Sequence, residues 1–193
     1  MPATAENKVQ FNLKNVYYAV LTVTDGTPTW GTPVHVPGAV SLSLDEQGTV
    51  EPFYADGIVY YQSAANNGYS GDLEMARFPD QMMQDIWGME EVATDYVLIE
   101  NSNVEVKSFA LLYQIDGDQD NQLYCLYNCT GTRPSLGGST TTDTKTPQTQ
   151  TSTISAVSLE NGDVLARTTY QTPGTVRQAW FTKVYQRPSE ESA

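Results

Sequence analysis

The sequence predicts a mainly β protein, a two-sheet β-sandwich or partly closed barrel with one flanking α-helix. Twelve Tyr against five Phe, together with many Thr and Val residues, is a composition typical of strands. Short runs of β-branched and aromatic residues alternate with turn sequences along most of the chain. Only one stretch, at about 78–87, has the apolar spacing of an amphipathic helix. Together these observations indicate a sandwich or partly closed barrel.

The helix is predicted from one apolar face and from the residues at its two ends. Pro79 suits the first helical position, where a missing N–H costs nothing, and Gly88 suits a left-handed C-terminal residue. We expect the apolar face to dock the helix on the β core. That face consists of Phe78, Met82, Met83, Ile86 and Trp87.

The strands are predicted from their β-branched and aromatic content. In chain order they are expected at 15–24, 39–44, 49–54, 57–63, 72–76, 95–100, 105–114, 122–130, 153–159, 163–170 and 175–185. The Asp56-Gly57 pair is a strong hairpin signal between two of them. Asn101–Asn103 and Glu160–Asp163 are expected to close two further hairpins.

The domain organisation follows from shifts in composition. Residues 1–14 are polar and are expected to form an N-terminal arm, and 187–193 a polar C-terminal tail. The remainder, 15–186, is predicted to be a single domain. Within it, 131–153 is rich in Ser, Thr, Gly, Pro and Gln, a composition that buries too little apolar surface to order itself. We therefore expect a long mobile loop there.

The net charge of −13 and the pI near 4.2 narrow the classes of partner. High-affinity nucleic-acid binding needs a basic surface that neutralises phosphates, so the charge argues against it. No apolar run of about 18 residues is present, so no membrane segment is predicted. The N-terminus also lacks the pattern of a signal peptide, and we expect the protein to fold in a cytoplasm.

The cysteines and the single histidine do not form a recognisable chemical site. On one strand, Cys125 and Cys129 are expected about 13 Å apart on the same face, too far for a disulfide. His35 is the only histidine, so a zinc site lacks ligands. We interpret the cysteines as buried free thiols and His35 as a structural or surface residue.

One acidic segment resembles the start of a calcium loop. Asp116, Asp118 and Asp120 alternate as in an EF-hand, but Asn121 and Tyr127 stand where that motif needs Gly and Glu. A solvated hairpin turn is the favoured interpretation. No phosphate-binding loop, nucleophile motif or paired-carboxylate motif is found. The sequence therefore predicts no enzyme, no cofactor and no metal site.

A series of motifs across most of 9–187 nevertheless resembles a known family. They are Gly31-Thr32-Pro33-Val34, Pro37-Gly38-Ala39-Val40-Ser41-Leu42-Ser43-Leu44, Tyr54-Ala55-Asp56, Asn66-Asn67-Gly68-Tyr69, Gly71-Asp72-Leu73-Glu74, Phe78-Pro79-Asp80, Ile86-Trp87-Gly88, Phe109-Ala110-Leu111-Leu112, Leu126-Tyr127-Asn128-Cys129 and Arg133-Pro134. They resemble the major tail proteins of long-tailed, non-contractile bacteriophages, a family common in phages of Gram-positive bacteria.

The resemblance implies a tail tube subunit: two packed β-sheets flanked by a helix, six copies to a ring, and rings stacked into a hollow tube. It also implies tape-measure, terminator and distal tail proteins as partners, assembly in the host bacterial cytoplasm, and a final location in the virion. DNA would pass through the bore during ejection without specific binding, because carboxylates repel phosphate. Candidate bore-lining acids are Glu51, Glu100, Glu105 and Asp163.

Two other classes of function remain open from the sequence. A monomeric receptor- or carbohydrate-binding β-sandwich would stay monomeric at any concentration and would expose clustered aromatic side chains. An acidic hydrolase would have a cleft with two carboxyl groups of unlike pKa.

Overall fold

The computed structural model describes residues 6–140 and 146–188, and this part of the chain is mainly β. The strands are β1 (Gln10–Thr24), β2 (Thr27–Trp30), β3 (Val34–Val36), β4 (Ala39–Glu46), β5 (Val50–Ala55), β6 (Ile58–Ala64), β7 (Tyr69–Met75), β8 (Glu90–Val92), β9 (Val97–Ile99), β10 (Phe109–Gly117), β11 (Gln122–Gly131), β12 (Gln150–Val157) and β13 (Leu165–Arg167). The helices are α1 (Asp80–Asp85) and α2 (Gly174–Ala179). The predicted mainly β class is confirmed.

In the described part of the chain, nine strands form one antiparallel sheet in the order β2-β1-β10-β11-β12-β7-β4, with β3 paired to β1 and β13 paired to β11. The sheet curls until β4 lies beside the first residues of β1, and 10–13 and 40–44 line one cavity. Within the described residues no ladder joins these two strands. The architecture is therefore consistent with a sandwich, and it is not a closed barrel.

The two faces of the sheet carry two separate apolar clusters. On one face, β1, β7, β10, β11 and β12 pack with α1. On the other face, β1, β10 and β11 pack with α2 and the segment after it. Strands covered on both faces have continuous apolar sequences rather than alternating ones, which explains the unbroken runs of β10 and β11.

The segment around α1 closes the first face. Phe78, Met82 and Ile86 are fully buried, Trp87 is 1% exposed, and Met83 packs at the cluster's edge. The ring of Phe78 meets that of Trp87 edge-on, with 5.6 Å between centroids. Gly88 has a φ of +65°, the left-handed conformation expected after the helix. Regular helix spans only Asp80–Asp85, so the predicted span of 78–87 is two residues too long at each end.

The predicted strand at 175–185 is wrong, because this segment contains α2. Pro173 precedes the helix with a φ of −55°. Val176, Trp180 and Val184 recur every four residues and pack on the second face of the sheet. The described residues therefore have two short helices, which corrects the expectation of a single flanking helix.

Two of the predicted hairpins are also wrong, because their strands pair with other partners. β9 pairs with β8 rather than with β10. β13 pairs with β11 rather than with β12: it lies along Tyr124–Leu126 of β11, next to the stretch Asn128–Gly131 that β12 pairs with. The hairpin at Asp56-Gly57 is present as β5 and β6.

Some residues of the predicted N-terminal arm and of the predicted Ser/Thr-rich loop belong to strands. β1 begins at Gln10 rather than at 15, so part of 1–14 belongs to the sheet, and 1–5 lie outside the described residues. The Ser/Thr-rich segment is tied at both ends, where Thr132 donates its backbone N–H to the Thr153 carbonyl at 2.9 Å. Its residues 141–145 lie outside the described part, as do 189–193 of the predicted tail.

The two cysteines lie on opposite faces of the sheet, not on one face. Both are free and buried; Cys125 belongs to the cluster with α2, and Cys129 to the cluster with α1. The cause is a register shift between β10 and β11, where Phe109 pairs with Cys129 but Leu111 with Leu126. One extra residue on β11 reverses the alternation. Burial raises the pKa of both thiols, which keeps them protonated.

Candidate functional site: an exposed hairpin and an open crevice

A long exposed part of the described chain is the hairpin formed by β5 and β6, which continues the β4–β7 ladder beyond the sheet. Glu46 pairs with Tyr69 at the end of that ladder. Backbone bonds then follow from Gln47 to the Gly68 carbonyl at 2.8 Å and from Ala65 to the Thr49 carbonyl at 3.0 Å. β5 and β6 pair from Val50 and Ala64 up to the turn. The hairpin is therefore one extended ribbon rooted in the sheet.

The hairpin ends in a turn whose two central residues have left-handed backbones. Asp56 has a φ of 52° and Gly57 a φ of 77°, the conformation that hairpin turns require and that Asp and Gly adopt most readily. The sequence thus determines both the position of the turn and the pairing of the strands that flank it. We call residues 54–58 the hairpin tip.

Both faces of the hairpin are exposed, although its side chains are those of a protein interior. Tyr60 is 71% exposed and Ile58 63%. The exposed large apolar side chains are Val50, Phe53, Tyr54, Ile58, Val59, Tyr60 and Tyr61. An isolated two-stranded hairpin is marginally stable in water, and clustered apolar exposure marks an interaction surface.

An open crevice lies at the root of the same hairpin. Its volume is about 350 Å³, and Tyr113, one of the residues that line it, stacks on Tyr124 with 5.0 Å between ring centroids. We call it the Tyr113 crevice; it is lined by Leu44, Tyr69, Tyr113, Tyr124, Leu126, Leu165 and Arg167. It adjoins the open edge between β1 and β4, since Leu44 and Tyr113 also line the cavity there. The crevice therefore reaches the edge of the core, where Tyr113 is 7% and Tyr124 9% exposed.

Among the described residues, Arg167 is the only cation that lines the Tyr113 crevice. It is exposed and in register with Tyr124 on the neighbouring strand. Within the described residues the other four arginines form ion pairs, whereas Arg167 forms none; the pairs are Arg77 with Asp80, Arg133 with Glu100, Arg177 with Asp120 and Arg187 with Asp163. The crevice thus combines apolar walls with a cation that has no carboxylate partner there.

The three aspartates of the calcium-like segment are all used to hold other parts of the chain. Asp116 pairs with Lys14 at 2.5 Å, and Asp120 pairs with Arg177. Asp118 accepts the backbone N–H of Lys8 at 2.8 Å. Each carboxylate faces its own partner. Among the described residues no cluster of three potential metal ligands occurs.

These contacts form a clasp between the first described residues and the β10–β11 turn. The Asn7 side chain accepts the backbone N–H groups of Gln119 and Asp120, at 3.0 and 2.8 Å. The Lys14 ammonium lowers the pKa of Asp116, and the backbone N–H of Lys8 lowers the pKa of Asp118. Hydrogen bonds from Thr149 and Ser41 lower the pKa of Glu74. Each of these carboxyls is held ionised, whereas a general acid needs a raised pKa.

The four acids predicted to line a bore lie on separate elements. Glu51 is on β5 of the hairpin, and Glu105 lies in the exposed link before β10. Glu100 follows β9 and pairs with Arg133 at 2.7 Å, while Asp163 precedes β13 and pairs with Arg187 at 2.6 Å. The subunit does not bring them into one cluster, and only Glu51 is on a strand.

The sequence contained a signal for the hairpin but not for the crevice. The Asp-Gly turn and the flanking aromatic runs predicted β5 and β6 with nearly correct bounds. Leu44, Tyr113 and Arg167 come from strands far apart in sequence, so no local pattern joins them. α2 leaves only a weak pattern in the sequence, because Trp180 caps the helix and Val184 lies beyond it.

Comparison with known proteins adds no assignment to this site. No protein-family model matches the chain, and no curated protein matches it with significant similarity. Within the described residues, no helix has the length and apolarity needed to cross a bilayer.

Proposed function

We propose that this chain is a structural virion protein, a tail tube subunit that assembles with copies of itself into stacked hexameric rings. The observation that carries the proposal is the β5–β6 hairpin, with its apolar side chains exposed on both faces. A subunit that buries this surface against a neighbour removes it from water, and the hydrophobic effect then drives assembly. The motifs that resemble major tail proteins give the form of the assembly.

The same proposal gives the acidic surface a role. DNA crossing a hollow tube must not adhere to the wall, and a wall of carboxylates repels phosphate without releasing counterions. Glu51 and Glu105 are the better bore candidates, because Glu100 and Asp163 are already neutralised by arginines. Tape-measure, terminator and distal tail proteins are the partners at the ends, with assembly in the host bacterial cytoplasm.

The test of self-assembly is electron microscopy of the purified protein over a range of concentrations, combined with mass measurement by light scattering. The expected result is rings of six copies or hollow tubes above a threshold concentration, and subunits below it. A protein that remains monomeric at millimolar concentration contradicts the proposal.

The test of the bore is a virion that carries Glu105→Lys. Tubes should form normally, DNA should be retained on the wall, and ejection should slow as salt is lowered. The matched control is Glu90→Lys, another exposed acid. Normal ejection with lysine at several wall positions would contradict the role of the acids and leave the tube proposal intact.

A second candidate is a monomeric receptor- or carbohydrate-binding module. It is favoured by the aromatic side chains of the hairpin, since clustered exposed aromatics are what such a module presents. Phe53, Tyr54, Tyr60 and Tyr61 are all at least 60% exposed. Saturable binding to a glycan array by a chain that never oligomerises would select this function over the first.

A further inference from the structure

We propose that the hairpin tip of one copy docks in the Tyr113 crevice of a second copy, with Asp56 paired to Arg167. This inference rests on the proposed self-assembly and specifies one contact within it. The donor is residues 54–58, and the acceptor is the crevice defined above by its seven lining residues.

A tip cannot reach the crevice of its own chain while the hairpin is extended. Tyr69, at the root of the hairpin, lines the crevice. From Glu46, the partner of Tyr69, to Asp56 the strand advances ten residues, which at about 3.3 Å each is roughly 30 Å. The backbone bonds between Gln47 and Gly68 and between Ala65 and Thr49 keep the ribbon continuous over that distance. The occupant must therefore come from another molecule.

The size and chemistry of the crevice fit the tip. A volume of about 350 Å³ lies at the lower end of the range for small-ligand pockets, so it holds a few side chains and not a whole hairpin. Tyr54 and Ile58 flank the turn, and both are 63% exposed. Their insertion would place apolar side chains against Leu44, Leu165 and the Tyr113 ring.

Charge complementarity selects the partner. The tip carries one charge, the carboxylate of Asp56, and the described lining of the crevice has one cation, Arg167. Asp45 and Glu46 follow Leu44 along β4 and would repel an acidic segment that approaches the crevice. The guanidinium of Arg167 offsets that repulsion. Arg167 is held in a ladder, and its planar fork matches a carboxylate.

The docked pair has no two-fold symmetry, because the donor and acceptor are different surfaces of the subunit. Each subunit can give its tip to one neighbour and receive the tip of another. Such heterologous contacts generate closed rings or open filaments rather than isolated dimers. This is the kind of contact that a tube of stacked rings requires.

The test uses charge reversals that are complementary between chains. Asp56→Lys gives a chain with a basic tip and a basic crevice, and Arg167→Asp gives one with an acidic tip and an acidic crevice. Each variant alone should assemble only at roughly tenfold higher concentration or above, because like charges meet at every contact. Mixed in equal amounts, the two should assemble at the wild-type threshold, since every contact is then complementary.

Three controls separate this contact from general effects of charge. Asp25→Lys has the same chemistry at a matched turn, with φ values of 50° at Asp25 and 75° at Gly26. Lys183→Asp removes a cation from the rim of a different cavity, of about 540 Å³, beside α2. Both should assemble as the wild type does. The double variant Asp56→Lys with Arg167→Asp should also assemble by itself.

The outcomes distinguish the inference from the function on which it rests. If both single variants assemble as well as the wild type does, the docking contact is wrong, and the tube proposal still stands. Loss of assembly in the single variants without rescue on mixing also overturns it. Wild type that never assembles contradicts both. Rescue on mixing supports the contact and shows that both variants are folded.

Discussion

At the scale of single residues, the indole of Trp87 joins the α1 segment to the strands that it covers. Its N–H donates to the Gly131 carbonyl at 3.0 Å in a buried position, and its ring packs against Phe78. Gly131 is the last residue of β11. One side chain therefore contributes apolar burial and a satisfied polar contact at the same place.

Trp87→Ala should lower the free energy of unfolding by about 3–5 kcal/mol, since truncating a buried aromatic leaves a cavity. Trp87→Phe keeps most of the ring volume but leaves the Gly131 carbonyl without its donor, so its loss should be about 1–3 kcal/mol. Urea denaturation of the monomer measures both. A loss below about 1 kcal/mol for the alanine variant would show that the α1 segment does not stabilise the core.

Asp118 should make the clasp between the first described residues and the β10–β11 turn sensitive to acid. Its folded pKa is lowered by the Lys8 N–H, so its contribution to stability is present above the ordinary pKa of 3.8. The contribution is lost as the pH falls through the lower folded pKa. Wild type should therefore be more stable than Asp118→Asn at neutral pH, and the difference should shrink towards pH 2. Denaturation of both proteins across that range measures it, and a constant difference would contradict the assignment.

At the scale of secondary-structure elements, the hairpin and α2 show what a local pattern can and cannot determine. The Asp56-Gly57 turn fixed the hairpin, because left-handed backbone is a local property of those residues. Its detachment from the sheet was not predictable, since apolar residues on both faces of a strand usually indicate burial on both faces. α2 was less predictable, because the helix ends at Ala179 and only Val176 of the apolar residues spaced by four lies within it, with Trp180 as its C-cap.

The strand partners were less predictable than the strands. β13 pairs with β11 and β9 with β8, and in each case the predicted hairpin followed the nearest turn signal. Pairing is decided by burial across the whole sheet, which no turn sequence reports. The same reason applies to the Tyr113 crevice, whose walls come from five strands that sequence cannot align.

Replacing the cross-strand pair Phe53 and Tyr61 by serine should separate assembly from folding. Both side chains are at least 60% exposed, so the free energy of unfolding of the monomer should change by less than about 0.5 kcal/mol. The concentration needed for assembly should rise, because the apolar surface buried between copies is reduced.

The matched control for this pair is Tyr96→Ser. Tyr96 is an aromatic residue 81% exposed, in the turn between β8 and β9, and its replacement should leave assembly unchanged. Denaturation of the monomer and light scattering of the assembly provide the two readouts. A hairpin variant that destabilises the monomer by several kcal/mol would show that β5 and β6 belong to the core of the subunit.

At the scale of the whole molecule, the charge of −13 opposes contact between copies. Repulsion between exposed charges extends over about 8 Å at physiological ionic strength and shortens as salt is added. Apolar burial is not weakened by the same screening. The balance between the two determines the concentration at which copies associate.

Assembly should therefore begin at lower protein concentration as sodium chloride is raised from about 0.01 to 0.5 M, over which the screening length falls several-fold. Light scattering across a salt and protein series measures the threshold. A threshold that rises with salt would show that attraction between opposite charges, rather than apolar burial, dominates the association.

The separation of tip and crevice along one ribbon gives any open assembly built on their contact a direction. At one end the last subunits present occupied crevices and bare tips; at the other they present buried tips and empty crevices. The two ends are chemically unlike, so growth at each has its own rate, and a protein that halts growth must imitate either a tip or a crevice. One pair of capping proteins, different from each other, is what such a polymer requires to have a defined length.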